Sequence, residues 1–111
     1  QARVLDAGHP GFQPSNLEVT TLEVGNTATN VIPARARARL NIRFNPAHRG
    51  GDLQAWLQAE CDAVTAPFRA ELDPAISGEA FLTEPGPFVE VAAGAVRTAL
   101  GREPVLSTTG G

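Results

Sequence analysis

Few side chains in this sequence have the types and spacing that metal or nucleophilic chemistry requires. His9, His48 and Cys61 are far apart in the sequence, and no short ligand spacing such as HxxxH or CxxC occurs. The hydroxyl cluster 107–109 has no histidine in an obvious position to act as its base. The sequence therefore predicts no metal site and no catalytic residue in this chain, and both histidines are expected to be solvated in polar loops.

A row of arginines offers a different chemistry, the binding of anions. Residues 34–44 alternate strictly between apolar and polar side chains. The polar set consists of Arg35, Arg37, Arg39, Asn41 and Arg43. A solvated strand face accounts for the first three arginines. Arg43 differs because it lies near the far end of the strand, where a guanidinium could bind a carboxylate through two parallel hydrogen bonds.

Nucleic-acid binding is the alternative function for this basic face. The formal net charge of −3 argues against it, as does the absence of aromatic residues between the arginines. The same acidic balance argues against a membrane-surface partner.

Asn30 lies in the connection that precedes the arginine row. Its side-chain amide offers both a donor and an acceptor to a ligand. As a turn residue it would instead cap its own backbone, and spacing alone favours that interpretation. The connection from Gly25 to Pro33 is long for a tight hairpin, which leaves room for a function there.

The strands that position these residues follow from period-2 alternation. Residues 16–24 form a strand whose apolar parity switches midway, which predicts a bulge near Thr20 and Thr21. Further strands are predicted over residues 34–44 and 68–73, and a last short strand over residues 104–108. Before the first strand, the end of a helix is expected around Val4 and Leu5.

Helical periodicity and stop signals define two helices. The first extends from Leu53 to about Thr65, with Asp52 as its N-cap. The second extends from Pro87 to Leu100, and Gly101 ends it. The order β-β-α-β plus one helix and a short strand predicts an α+β fold, with an antiparallel sheet covered by helices on one face.

Composition limits the remaining possibilities. The single cysteine rules out an internal disulfide and suits a reducing compartment, so a cytoplasmic location is expected. No apolar stretch approaches the ~20 residues that a membrane span needs. The sequence contains no methionine and ends in a glycine turn after a predicted strand, so we expect a fragment of a longer protein or an engineered chain.

Three segments resemble a known family. Residues 29–33, Thr-Asn-Val-Ile-Pro, followed by a strand ending Asn-Ile-Arg-Phe at 41–44, resemble the lid region of the zinc aminoacylase/carboxypeptidase family. The segments Phe-Leu-Thr-Glu-Pro-Gly at 81–86 and Leu-Ser-Thr-Thr-Gly-Gly at 106–111 narrow the resemblance to its bacterial members that hydrolyse N-succinyl-LL-2,6-diaminopimelate.

This resemblance implies a homodimeric metalloenzyme of lysine and peptidoglycan precursor biosynthesis, which releases succinate and LL-diaminopimelate. Its catalytic domain would carry two zinc ions, or cobalt in their place, with ligands and a general-base glutamate outside this chain. Residues 1–83 would be a partial, ferredoxin-like lid or dimerisation domain, and residues 84–111 the start of the returning catalytic domain. A partial lid would leave part of its sheet without a helix to cover it, and the second helix or a second copy of the chain would cover that face.

The resemblance also implies site residues. Asn30 would help to bind substrate across the dimer, Arg43 would bind a substrate carboxylate, and the backbone of Gly110 and Gly111 would lie against the substrate. No metal ligand and no catalytic residue are implied here. Two alternatives stay open: the lid of a sister enzyme, such as an acetylornithine deacetylase or a metallocarboxypeptidase, and a stand-alone binding module with a basic sheet face.

Overall fold

The computed structural model describes residues 2–108. It has a three-stranded antiparallel sheet in the order β1-β2-β3 and two helices. The strands are β1 (Ala2–Val4), β2 (Asn16–Glu23) and β3 (Arg37–Arg43), and the helices are α1 (Gly50–Thr65) and α2 (Pro87–Leu100). The prediction of an α+β fold with an antiparallel sheet is confirmed.

Strands β2 and β3 pair over their whole length, from Asn16 opposite Arg43 to Glu23 opposite Arg37. The register shifts between Val19 and Thr21, which confirms the predicted bulge. The strand predicted over residues 34–44 is shorter in the structure because β2 ends at Glu23 and leaves residues 34–36 without a strand to pair with.

The N-terminal residues form a strand, so the helix end predicted around Val4 is wrong. Ala2, Arg3 and Val4 pair with β2, and the Leu5 N–H donates to the Ser15 carbonyl at 2.8 Å. So short a segment cannot easily nucleate a helix, whereas the free edge of β2 offers it ready hydrogen-bond partners.

Helix α1 begins at Gly50, earlier than predicted. Asp52 lies within its first turn and is not the N-cap, and the N-cap residue Arg49 makes no side-chain capping bond. The Glu79 carboxylate instead accepts the Gly50 N–H, with both oxygens at 3.1 Å. A carboxylate from a distant loop thus satisfies one of the unpaired donors at the helix start.

Helix α1 contacts the sheet through β1. The Arg3 guanidinium lies 5.2 Å from the centre of the Trp56 ring. It also approaches the Glu60 carboxylate at 3.4 Å. The Trp56 side chain is half-buried.

The strand predicted over residues 68–73 is not formed, so the β-β-α-β order is wrong for the described residues. Residues 71–78 line a cleft of about 810 Å³, whose walls also include residues 37–42 around β3. Paired strands lie about 4.8 Å apart. Residues 68–73 pair with none of the three strands, so their alternating side chains have no ladder to join. Residues 104–108 form no strand either.

Helix α2 has the predicted bounds. Pro87 occupies its first turn, and Gly101 ends it at φ 66° with its N–H donating to the Arg97 carbonyl at 2.8 Å. The first alternative, that this helix covers the sheet, is wrong because none of its residues is buried, while cover by a second copy of the chain stays a prediction. Its apolar side chains Phe88 and Val91 stay exposed.

The core of the described chain is small. Leu17 and Leu53 are its buried apolar residues, while Phe68 and Phe81 lie exposed. The radius of gyration is 20.7 Å, against roughly 13 Å for a compact domain of similar length. Much apolar surface is therefore left for contact with other protein.

Candidate carboxylate-binding site at the end of the sheet

Arg43 is the last residue of β3 and lies opposite Asn16, the first residue of β2. Its side chain is exposed, and no ion pair engages it within residues 2–108. A guanidinium in this position keeps its full set of donors for a planar anion such as a carboxylate. The structure thus places Arg43 where the sequence predicts it, at the strand end.

The other arginines of the row are exposed, as predicted for a solvated face. Arg39 shares the strand and the side-chain parity of Arg43. It lies nearer the middle of β3, where its carbonyl accepts the Thr20 hydroxyl at 3.2 Å. Arg39 is therefore a matched control for Arg43, similar in exposure and in chemistry but away from the strand end.

A cluster of four polar side chains lies at the same end of the sheet as Arg43. We call it the Asp6 cluster, and it consists of Asp6, Ser15, Asn45 and His48. Ser15 is 1% exposed and Asn45 is 2% exposed. The cluster joins the connection between β1 and β2, the residues just after β3 and the turn before α1.

The Asp6 carboxylate is the acceptor at the centre of this cluster. Its Oδ1 accepts the Gly8 N–H at 2.6 Å and the Asn45 side-chain amide at 2.9 Å. The Ser15 N–H is 3.2 Å from both carboxylate oxygens, and His48 Nε2 is 2.8 Å from Oδ2.

These partners favour the ionised carboxylate. The Ser15 hydroxyl, the Gly8 N–H, the His48 ring and the Ser15 N–H hold the pKa of Asp6 far below its usual range, although partial burial opposes them. Asp6 is therefore a fixed negative charge in the cluster.

Asn45 is fully satisfied although it is buried. Its backbone N–H donates to the Ser15 hydroxyl oxygen at 3.0 Å, and its side-chain amide also donates to the Gln13 carbonyl at 3.2 Å. Its side-chain oxygen accepts the Ala47 N–H at 2.9 Å, which forms a turn after the strand.

Sequence reasoning missed this cluster. The expectation that His48 is simply solvated is wrong, because its ring is half-buried against Asp6. His9 is also only half-exposed, because its ring packs edge-on against the Phe12 ring, with the two ring centres 6.0 Å apart. The one usable signal was Asn45 before a proline, which is typical of a turn but does not reveal a partner 39 residues away.

Asn30 lies at the opposite end of the β2–β3 pair from Arg43, in the connection between Glu23 and Arg37. Seven residues of β3 span about 20 Å, so the two side chains are not brought together within one chain. Asn30 lies in a turn of this connection. The side-chain amide that caps the backbone nearby is that of Asn26, which donates to the Val31 carbonyl at 2.6 Å and accepts the Ala28 N–H at 3.0 Å. Asn30 itself is exposed. Gly110 and Gly111 lie outside the described residues.

The chemistry of the side chains present does not fit a metal centre. Residues 2–108 contain no group of three or more His, Cys, Asp or Glu side chains that could hold a metal ion. His48 and Asp6 meet, but the Asp6 oxygens already accept hydrogen bonds from Gly8, Ser15 and Asn45. No metal-dependent step is therefore assigned to these residues. Over the same range, neither helix is long and apolar enough to cross a membrane.

The chain is similar to curated proteins over its entire length. It is 64% identical to succinyl-diaminopimelate desuccinylase of Caulobacter sp. (strain K31), in an alignment that covers 100% of this chain and 29% of that protein. The protein of the same name from Phenylobacterium zucineum is 58% identical, with 100% of this chain and 30% of that protein covered. The one from Parvibaculum lavamentivorans is 54% identical, with 99% and 28% covered.

The chain thus spans less than a third of the length of these relatives. The family model described as the peptidase dimerisation domain matches residues 2–69, from β1 through the turn after α1. Because this match covers more than half of the sequence, the chain belongs to the peptidase dimerisation domain family.

Proposed function

We propose that this chain is the lid and dimerisation segment of an amidohydrolase that converts N-succinyl-LL-2,6-diaminopimelate to succinate and LL-diaminopimelate. The observation that carries the proposal is 64% identity, over the whole chain, to a protein named for that activity. The match to the peptidase dimerisation domain supports the role of residues 2–69 within the longer protein.

The proposed enzyme is a cytoplasmic homodimer that pairs through this segment. It uses two zinc ions, or cobalt, which are held by segments outside this chain. The small buried core and the exposed apolar side chains support a segment that packs against further protein.

In the proposed domain division, residues 1–83 form the lid and residues 84–111 begin the return to the catalytic domain. The bounds of the family match, 2–69, support a boundary after α1 and before α2. Helix α2 supports it as well, since none of its residues is buried against the sheet domain. Its exposed apolar residues Phe88, Val91 and Leu100 would then pack on the catalytic domain.

Arg43 is the proposed ligand for a substrate carboxylate. Its exposure at the end of β3, without an ion pair in the described part of the chain, supports this role. Asn30 is proposed to contact substrate from the other end of the strand pair, in the active site of the partner subunit. Gly110 and Gly111 are proposed to place their backbone against the substrate.

The test of the activity uses the full-length protein that contains this chain, loaded with zinc. We expect hydrolysis of N-succinyl-LL-2,6-diaminopimelate with a kcat/KM at least about 100-fold above that for N-acetylornithine, because the two acyl groups differ by a carboxylate that the site is built to pair. The reverse preference would assign the chain to an acetylornithine deacetylase. Hydrolysis of neither substrate would refute the proposed function.

A further inference from the structure

Arg43 can discriminate between ligands only if the end of β3 that carries it is held in place. Strand ends fray, and an arginine side chain loses much rotational freedom when it binds. Arg43 belongs to the last residue pair of the β2–β3 ladder, with no further strand residue beyond it on either side. The groups immediately after this pair therefore decide how firmly the base of the Arg43 side chain is fixed.

Both strand ends lead directly into the Asp6 cluster. Ser15 immediately precedes Asn16, and Asn45 follows Arg43 by two residues. The Ser15 hydroxyl accepts the Asn45 N–H at 3.0 Å, which joins the two strand ends just past the ladder. The Asn45 side chain then ties this junction to the Asp6 carboxylate at 2.9 Å.

The cluster is built as a rigid element. Asn45 and Ser15 are almost fully buried, and no buried side-chain polar atom in residues 2–108 lacks a hydrogen-bond partner. The charge on Asp6 strengthens the bonds it accepts. Buried polar groups whose hydrogen bonds are all made rigidify the structure around them.

From this arrangement we infer that Asn45 and Asp6 are positioning residues for Arg43, and that their hydrogen bond holds the guanidinium in the orientation that binds the substrate carboxylate. This inference rests on the proposed function of Arg43. It goes beyond that function because it assigns an effect on substrate affinity to two residues whose side chains are engaged with each other.

The test is a double-mutant cycle in the full-length zinc enzyme, with kcat and KM measured on N-succinyl-LL-2,6-diaminopimelate. Asn45→Asp keeps the shape of the side chain and its acceptor for the Ala47 N–H, but it replaces the donor to Asp6 with a second carboxylate. We expect KM to rise about tenfold with kcat nearly unchanged, because ground-state binding is what weakens. In an Arg43→Ala background, Asn45→Asp should then have no further effect on KM.

Thermal unfolding of each variant verifies that the enzyme is folded at the assay temperature. If Asn45→Asp is unfolded there, Asp6→Ala takes its place in the cycle, because it removes the Oδ1 that accepts the Asn45 amide at a partly exposed position where water can replace it.

Two results overturn the inference, and they are distinguishable. If Arg43→Ala raises KM but the Asn45 or Asp6 substitution multiplies KM by the same factor in both backgrounds, the cluster does not act through Arg43, while the proposed function stands. If Arg43→Ala leaves KM unchanged, the proposed role of Arg43 fails, and the inference fails with it.

Discussion

Replacing Ser15 by alanine tests the Asp6 cluster as a source of stability. Ser15 is 1% exposed, and its hydroxyl oxygen is the acceptor for the buried Asn45 N–H at 3.0 Å. The substitution removes this acceptor, and water has little access to replace it. An unsatisfied buried donor costs roughly 1–3 kcal/mol, so we expect the free energy of unfolding to fall by about 2 kcal/mol.

Urea unfolding followed by far-UV circular dichroism measures this change. For a chain of this size the free energy of unfolding falls by about 2 kcal/mol per molar urea, so the urea concentration at the midpoint should fall by about 1 M. Ser77→Ala is the control, because Ser77 is exposed in an irregular segment, and it should change stability by less than about 0.5 kcal/mol. Equal midpoints for Ser15→Ala and Ser77→Ala would refute the claim that the buried Ser15–Asn45 hydrogen bond stabilises the chain.

Further predictions concern the start of α1 and the charge on Asp6. Gly51→Ala should stabilise the chain by about 0.5 kcal/mol, because a Cβ at this helical position meets no atom within 4 Å. Gly50→Ala should destabilise the chain by about 1 kcal/mol, because its Cβ would lie 3.0 Å from side-chain atoms of Ile76 and Glu79. The urea midpoint of each variant measures its change in stability. Equal shifts for the two substitutions would contradict the close contact of a Gly50 Cβ with Ile76 and Glu79. The lowered pKa of Asp6 means that its contribution to stability is present above the unfolded-state pKa near 4 and is lost as pH falls through the folded-state value. Wild-type stability should therefore fall more steeply than that of Asp6→Asn between pH 5 and about pH 2, and parallel pH profiles would show that the carboxylate is not specifically stabilised.

Local signals in the sequence predicted the features that depend on neighbouring residues. Pro87 and Gly101 set the bounds of α2, because a proline at the start and a left-handed glycine at the end act through the adjacent backbone alone. The parity switch at Thr20 located the bulge in β2 for the same reason.

Features that depend on a distant partner were not predictable in this way. Residues 68–73 alternate like a strand but do not pair in the structure, because pairing needs a neighbouring edge at hydrogen-bonding distance and pattern alone does not supply one. Asp52 looks like an N-cap, yet the donor at the start of α1 is satisfied by Glu79, 29 residues away from Gly50.

The residues of the candidate site differ in the same way, because one is recognisable from its neighbours in the sequence and the other only from distant partners. Arg43 could be selected from its place at the end of the alternating run and from the resemblance of the flanking residues. Asn45 could not, because its importance comes from burial and from hydrogen bonds to Asp6 and Gln13 that span more than thirty residues. A polar residue between an aromatic residue and a proline resembles any other turn until its partners are known.

The measurement that tests the central claim most directly is the KM of full-length Arg43→Ala for N-succinyl-LL-2,6-diaminopimelate, compared with that of Arg39→Ala. Loss of a charge-assisted, two-point contact to a carboxylate should raise KM at least about tenfold with kcat nearly unchanged. Arg39→Ala should leave both constants within about twofold of wild type, because Arg39 lies on the same strand, exposed and away from its end. An unchanged KM for Arg43→Ala, or an equal rise for both variants, would contradict the assignment of the substrate carboxylate to Arg43.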